Sequence, residues 1–352
     1  MDASSATAAE PLRLEPIVRL EEAREDWERL ALATGQPFAT WEWNRIWWRR
    51  FGAGRQLYSF SCRDDAGAVR AILPLYVALR RPLTVARFLG YADYGAPLCA
   101  PADASLTARA MRDATRAPHP ARLIFAERLP GDWGRLLGGA RIAKGPDLAL
   151  PIEGRSWDDI LATRSRKPRS RLRRAERRLV EDHGLTFRLA SEPDRLPTDM
   201  DALFRLHAKR WGEQTTGVFD GARQEFHREF AGVALKNGWL RLWFAEIDGE
   251  PVAAWYGWRF AGADWHYQGG RDPSWDRFSV GTVLMAHTIR SACEDEMDAY
   301  RFLAGAEEYK YRFGAEELGT ETRLVGSWAL THLGRLALAM PGVSPALRGG
   351  AR

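Results

Sequence analysis

Lysine is scarce in this chain of 352 residues: only Lys144, Lys167, Lys209, Lys236 and Lys310 stand among its 51 basic residues. A GC-rich genome explains the Arg bias, and a Lys kept against that background hints that an ammonium is wanted there. Cysteine is scarcer. Cys62, Cys99 and Cys293 are widely spaced and odd in number, which excludes a disulfide framework and a zinc pattern and fits a reduced cytoplasm. No apolar run approaches the roughly 18 residues a membrane span needs; the longest, Ala71 to Leu79, is broken by Pro74. Met1 to Leu12 has neither the basic start nor the apolar stretch of a secretory signal and reads as a frayed tail. A G-x-x-x-x-G-K-[ST] phosphate loop and a G-x-S-x-G elbow are both missing, and Gly52-Ala53-Gly54 follows a helix and lacks a third glycine. The His residues form no H-x-x-x-H or H-E-x-x-H pair, so no metal site is expected.

What is present describes a folded protein of ordinary composition. The chain is 45% hydrophobic and 28% charged, and its length suits two domains. A net charge of +5 raises nucleic acid, anionic membrane or phosphorylated ligands as partners. That charge is concentrated. Arg164 to Arg178 holds nine cations and one acid, Glu176, so the rest of the chain is mildly acidic. The segment is too lopsided for a salt-bridged face and is read either as a solvated helix side or as a contact for RNA or phosphate.

Periodicity gives alternating helices and strands, hence mixed α/β sheets with helices packed on them. Thr40 caps a helix over Trp41 to Phe51 whose tryptophans read as core. Strands are expected at Glu15–Leu20, Leu57–Cys62, Ala68–Leu79, Thr84–Gly90, Arg122–Ala126 and Leu148–Ile152. Helix covers Ser156 to Asp182, with a break at Pro168. Further helices are expected at Thr198–Trp211 and Gln224–Asn237. A meander runs through Trp239–Ile247, Pro251–Phe260 and Asp264–Gly269, with turns at Asp248-Gly249 and Ala261-Gly262. An amphipathic helix from Ser279, a buried strand Tyr300–Leu303, a short turn Glu307–Arg312 and a strand Thr322–Trp328 follow. The stretches "LYSFSCRDDAGAVRAILPLYV" and "RLWFAEIDGEPVAAWYGWRF" share one hairpin layout, as related halves would. The expected division is 1–152, 153–328 and a tail at 329–352.

Two places can carry chemistry. Ser279-Val280-Gly281-Thr282 opens a helix after a strand and loop, so its N–H groups can hold a phosphate; the plainer reading is an N-cap by Ser279. Gly305-Ala306-Glu307-Glu308-Tyr309-Lys310 follows a buried strand. There Tyr309 can protonate a leaving thiolate, Glu307 can accept a proton from an amine, and Lys310 can hold an anion. The plainer reading is a solvated turn with Lys310 paired to Glu307 or Glu308.

Residues 155 to 326 resemble the CelD/BcsL-type acyltransferases of the GNAT superfamily, relatives of the FemABX peptidyltransferases. The resemblance rests on "SRLRRAERRL", "LFRLHAKRW", the meander, "FSVGTVLMAHTIRSA" and "RFLAGAEEYKYRFG". "FLGYADYGAPL" in the first half matches the divergent N-terminal half of such proteins. The resemblance implies a tandem GNAT-like fold and acyl transfer from acetyl-CoA or another acyl-CoA to an amine on a small-molecule or glycan-precursor acceptor in the cytoplasm. Tyr267, Gln268 and Gly269 would line the pantetheine arm, and Ser279, Val280, Gly281 and Thr282 would hold the pyrophosphate. Glu307 or His266 would act as base and Tyr309 as acid, while Lys310 and Trp211 would bind substrate. Val280 stands where the general GNAT pattern has glycine. A FemABX-like transferase using charged tRNA and a non-catalytic GNAT-fold binding protein are the alternatives.

Overall fold

The computed structural model describes residues 10–78, 84–90, 93–116, 121–212 and 218–339. The expected tail up to residue 9, the end of the Ala68–Leu79 strand and the last thirteen residues lie outside that set. The chain divides into two compact units, Met1–Gly145 with Gly319–Ala351, and Pro146–Leu318.

In the first unit, β1 (Arg13–Ile17) pairs with β3 (Ser59–Arg63), and β3 with β4 (Val69–Leu73). Proline cannot donate within a ladder. Accordingly Pro74 splits the expected Ala68–Leu79 strand into β4 and β5 (Leu75–Ala78), which enter different sheets. β5 pairs with β6 (Val85–Phe88), and β6 runs parallel to β8 (Leu123–Pro130). β17 (Thr320–Gly326) then lies between β8 and β9 (Ala140–Gly145). Short strands β2 (Arg55–Leu57) and β7 (Leu98–Cys99) join the edges. The helix over Trp41–Phe51 (α2, after α1 at Arg24–Thr34 and before α3 at Ala104–Asp113 and α4 at Trp133–Leu137) forms as expected. Thr40 Oγ1 accepts the Trp43 N–H at 3.4 Å, and Trp43 is fully buried, as core.

The second unit is one seven-stranded sheet, β11-β12-β13-β14-β15-β10-β16. Its members are β10 (Asp147–Pro151), β11 (Thr186–Leu189), β12 (Leu240–Ile247), β13 (Glu250–Phe260), β14 (Ala263–Arg271), β15 (Ala299–Ala304) and β16 (Glu316–Glu317). The meander is antiparallel with the expected turns. Its strand order repeats that of the first unit, where β1-β3-β4/β5-β6-β8-β17-β9 follow one another through the break at Pro74. Both units have one parallel pair, β6–β8 and β14–β15. The shared hairpin found in the sequence is thus the β3–β4 and β12–β13 pair of two like units.

Pairing, not sequence order, sets the units' limits. β10 joins the second sheet through β15 and β16, and β17 joins the first through β8 and β9. The compact units therefore divide at 145/146 and 318/319, whereas the sequence expectation put the limits at 152, before the helix that opens the second half, and at 328. The C-terminal tail also differs from expectation. Trp328–Ala339 is a helix, α11, which seats buried Thr331 and leaves Trp328, Leu333 and Leu336 exposed. The break in the long basic helix spans Thr163 to Ser165, ahead of Pro168. α5 (Trp157–Ala162) ends there, and Ser165 precedes α6 (Arg166–His183), with Pro168 in its first turn, where a missing N–H costs nothing.

Helices α7 (Leu196–Trp211), α8 (Gly221–Lys236) and α9 (Val280–Glu294) complete the unit. α9 buries Val280, Val283, Leu284 and Ile289 in the main core cluster with Leu148, Leu150 and Phe302. α7 packs directly on β14. A Cβ at Gly270 would run into the backbone of Leu206 and His207, so only glycine lets the helix sit that close.

Candidate active site

β14 and β15 pair in parallel through only three positions, the last being Trp265↔Arg301. Beyond it β14 continues to Arg271 and β15 to Ala304, so among the described residues the strands part after Trp265. Arg259 pins the closed end, gripping Asp264 through two bonds of 2.6 and 2.8 Å. A bulge sits where the strands separate. Tyr256 pairs with Gln268 and Gly257 with His266, which leaves Tyr267 without an opposite residue. Bulges at such places re-aim side chains.

The residues singled out from the sequence divide between this opening and its surroundings. His266 is buried under the Trp255 ring, with centroids 3.9 Å apart and planes at 85°. Burial, then the charges of Lys310 and Arg210, holds its pKa well below the ordinary value. It is a neutral imidazole whose charged form is strongly disfavoured, so it is a poor proton acceptor. Gln268 hydrogen-bonds His207, whose pKa burial pushes down to about 4. Tyr267 turns to the other group of rings, against His227 and Trp258. The Gly269 carbonyl accepts from Arg210 Nη1 at 3.2 Å.

The turn after β15 brings its three candidates together. Tyr309, in the short helix α10 (Glu308–Arg312), is half-buried. Burial foremost, then the Glu307 charge, lifts its pKa to about 12, so the phenol keeps its proton through the physiological range. Its ring centre lies 6.4 Å from that of Trp255, and its hydroxyl hydrogen-bonds Arg210. Lys310 is 3% exposed. Its Nζ donates to the carbonyls of Ala304 at 2.7 Å and Gly305 at 3.0 Å and meets Glu307 Oε2 at 2.8 Å. Three acceptors use all three ammonium protons, so Lys310 ties the turn instead of presenting a free charge. That is the plainer of the two sequence readings, with Glu307 as the partner.

The start of α9 differs from the plainer reading of Ser279. Its hydroxyl makes no capping bond, and its backbone is left-handed, φ 60°. The Ser279 carbonyl accepts from the N–H groups of Thr282 and Val283. Val280 is core, while Gly281 and Thr282 are partly exposed. A Cβ at Gly281 would come 3.2 Å from Arg271 Cδ, so Arg271 lies across the helix start. Arg271 pairs with Asp276 through both carboxylate oxygens. The helix end therefore has a cation beside it, and an acid already on that cation.

Sequence reasoning missed Arg210, Arg271 and Trp255. Arg210 is partly buried at the end of α7, with its guanidinium carbon 4.6 Å from the exposed Trp211 ring. Burial lowers its pKa, opposed by Tyr309 and Glu307. Lys209, one residue before, meets Asp272 at 2.5 Å and fastens α7 to the end of β14. The surviving signal was the Lys-Arg-Trp run closing an apolar helix, which spacing alone does not connect to residues near 270 or 309. The basic segment stays on the surface: in α6, Arg166, Lys167, Arg171, Arg173, Arg174, Arg177 and Arg178 are exposed. Among the described residues no group of three or more His, Cys, Asp or Glu could hold a metal, and no helix is long and apolar enough to cross a membrane.

Comparison with known proteins gives this geometry a family context. Residues 166–311 match the family model described as an acetyltransferase (GNAT) domain. No curated protein matches the chain. Among solved structures, FemX superposes with a TM-score of 0.63 at 11% identity, covering 92% of this chain and all of that one. L-PGS from Bacillus licheniformis gives 0.56 at 12% identity, covering 91% of this chain and 94% of that one. A conserved protein of unknown function from Bacteroides thetaiotaomicron gives 0.51 at 12%, covering 90% and 100%. At such identities the likeness is one of fold. Residues 166–311 thus resemble a GNAT acetyltransferase domain, and the repeated strand order gives the chain a tandem GNAT-like fold of mixed α/β sheets.

Proposed function

We propose that the chain is an N-acyltransferase of the CelD/BcsL kind, moving an acyl group from a CoA thioester to the amine of an amino-sugar or amino-acid-like acceptor, in polysaccharide or envelope-precursor synthesis. One observation carries this reading: two parallel strands part after Trp265, and a phenol that holds its proton, Tyr309, lies where they part. The residues fit an acyl-CoA. The freed edge of β14 at Gln268 and Gly269 suits the pantetheine amides, and the first turn of α9 with Arg271 suits the pyrophosphate. The thioester supplies the activated carbonyl.

In this scheme the amine nitrogen attacks that carbonyl, forming the C–N bond as the C–S bond breaks. Glu307, which is exposed, takes the amine proton directly or through water. Tyr309 gives its proton to the departing thiolate. His266, neutral and enclosed, supports the floor beneath Trp255 and is not the base. Positioning and desolvation, not covalent catalysis, account for most of the acceleration such a site needs.

A charged-tRNA donor is the second reading, and the exposed cations of α6 favour it. Thermal melting with acetyl-CoA, longer acyl-CoAs and RNA separates the two, because a ligand that binds only the folded state raises the midpoint. A rise with acyl-CoA supports the first reading. A salt-sensitive rise with RNA and none with any acyl-CoA replaces it with the second.

A further inference from the structure

We infer that Arg210 anchors a carboxylate of the acyl acceptor, which makes the acceptor an amino carboxylate and not a neutral amino sugar. The inference deepens the acyl-transfer reading and rests on it. Four cations stand at the end of α7, at the end of β14 and next to Tyr309 in the chain: Lys209, Arg210, Arg271 and Lys310. Three of them are already matched, Lys209 by Asp272, Arg271 by Asp276 and Lys310 by Glu307. Among the described residues Arg210 has no carboxylate within ion-pair distance. Its protein partners are neutral: the Gly269 carbonyl at 3.2 Å, the Tyr309 hydroxyl and the face of Trp211. The neighbouring imidazoles of His207 and His266 are neutral as well. The cluster therefore carries one unmatched positive charge, partly withdrawn from water.

Keeping a guanidinium out of water without an anion is costly, and the cost is recovered when an anion arrives. One unmatched charge suits a monoanion such as a carboxylate better than a phosphate dianion. The guanidinium fork, with one edge bound to Gly269, leaves donors for a carboxylate. A second unsatisfied donor belongs to the same group of residues. Trp255 Nε1 is buried and has no hydrogen-bond partner, and its ring neighbours Tyr309. Because Arg210 is hydrogen-bonded to Tyr309, the anchored carboxylate would lie only a few bonds from the reacting amine, the spacing of an amino acid.

Melting curves of the full chain test this without turnover, using propionate and inorganic phosphate as probes at constant ionic strength against chloride. Arg210→Met removes the charge and keeps much of the volume, and Arg210→Lys keeps the charge without the fork. In chloride, Arg210→Met is expected to melt no lower than the wild type. Propionate at tens of millimolar should raise the wild-type midpoint by about 2 °C or more, the lysine variant less, and the methionine variant not at all. Equal propionate shifts in wild type and both variants would overturn the proposal, as would a methionine variant that melts several degrees lower in chloride beside a wild type that propionate leaves unmoved. A wild-type response to phosphate alone, lost in Arg210→Met, overturns the carboxylate assignment in favour of a phosphorylated acceptor. The donor is read separately with acetyl-CoA. If acetyl-CoA shifts none of the three proteins, the CoA reading fails while the propionate result still decides the anion site.

Discussion

Tyr309 and Lys310 are neighbours in sequence to which the proposed scheme gives opposite roles, and substitution separates them. Tyr309→Phe removes the proton but keeps the ring against Trp255, so kcat should fall by roughly 10²-fold or more while KM for the acyl donor stays nearly constant. A change confined to KM in steady-state kinetics would remove Tyr309 from the acid role. Lys310→Met acts on stability. It leaves the carbonyls of Ala304 and Gly305 without their donor in a partly buried turn, at a cost of about 1–3 kcal/mol. Urea unfolding should show a lower midpoint with an unchanged slope. At this scale the sequence was half informative. It marked Glu307, Tyr309 and Lys310 because a charged cluster follows a buried strand. It offered no means of telling which charge is consumed internally, since that depends on carbonyl positions.

Among the elements, α7 and β14 depend on one another. Gly270→Ala should cost several kcal/mol, because the added methyl meets helix backbone instead of a movable side chain. Calorimetry of that variant, compared with Gly232→Ala on the open side of α8 where a Cβ meets nothing within 4 Å, tests the claim. α6 makes a different prediction. Its cations mostly point to water, and its ion pairs with Asp158, Glu181 and Asp182 span 3.3–3.9 Å, which is the loose end for such pairs. If α6 holds RNA, replacing Arg171, Arg174 and Arg178 with Ser should weaken RNA binding and flatten its salt dependence by about one unit of slope for each phosphate no longer neutralised. A slope equal to the wild type would leave α6 a solvated face. Elements of this kind were legible. The meander, its two turns and α9 follow from alternation, Asp-Gly chemistry and helical spacing. The strand β9, the two shortest strands and the C-terminal helix were missed; β7 and β16, at two residues each, are too short to show a period.

For the whole molecule, buried histidines set the response to acid. His227 is lowered to about 3 and His207 to about 4, both mainly by burial, and His266 is lowered well below its ordinary value. Unfolding restores their normal affinity for protons, near 6.5. Below about pH 6.5 the unfolded chain therefore binds more protons than the folded one, and stability falls steadily toward pH 4. Above that range these groups contribute no slope. Urea midpoints measured between pH 7.5 and 4.5 should fall only in the lower part, by about 1–2 kcal/mol per histidine at pH 5. His227→Phe, which keeps the aromatic packing, should remove part of the fall; an identical pH profile in that variant would assign the loss to carboxylates.

The sequence alone determined the class of this protein: two like α/β halves, the meander, and a charged turn after a buried strand. Those features are local, arising from side-chain alternation, turn chemistry and helical spacing within a few residues. Tertiary structure alone decided which strand completes which unit, since β10 and β17 are placed by hydrogen-bonded partners more than a hundred residues distant. It also decided which charges are free. Pairing depends on distance in space, so only the fold could match Lys209, Arg271 and Lys310 with carboxylates and leave Arg210 without one among the described residues.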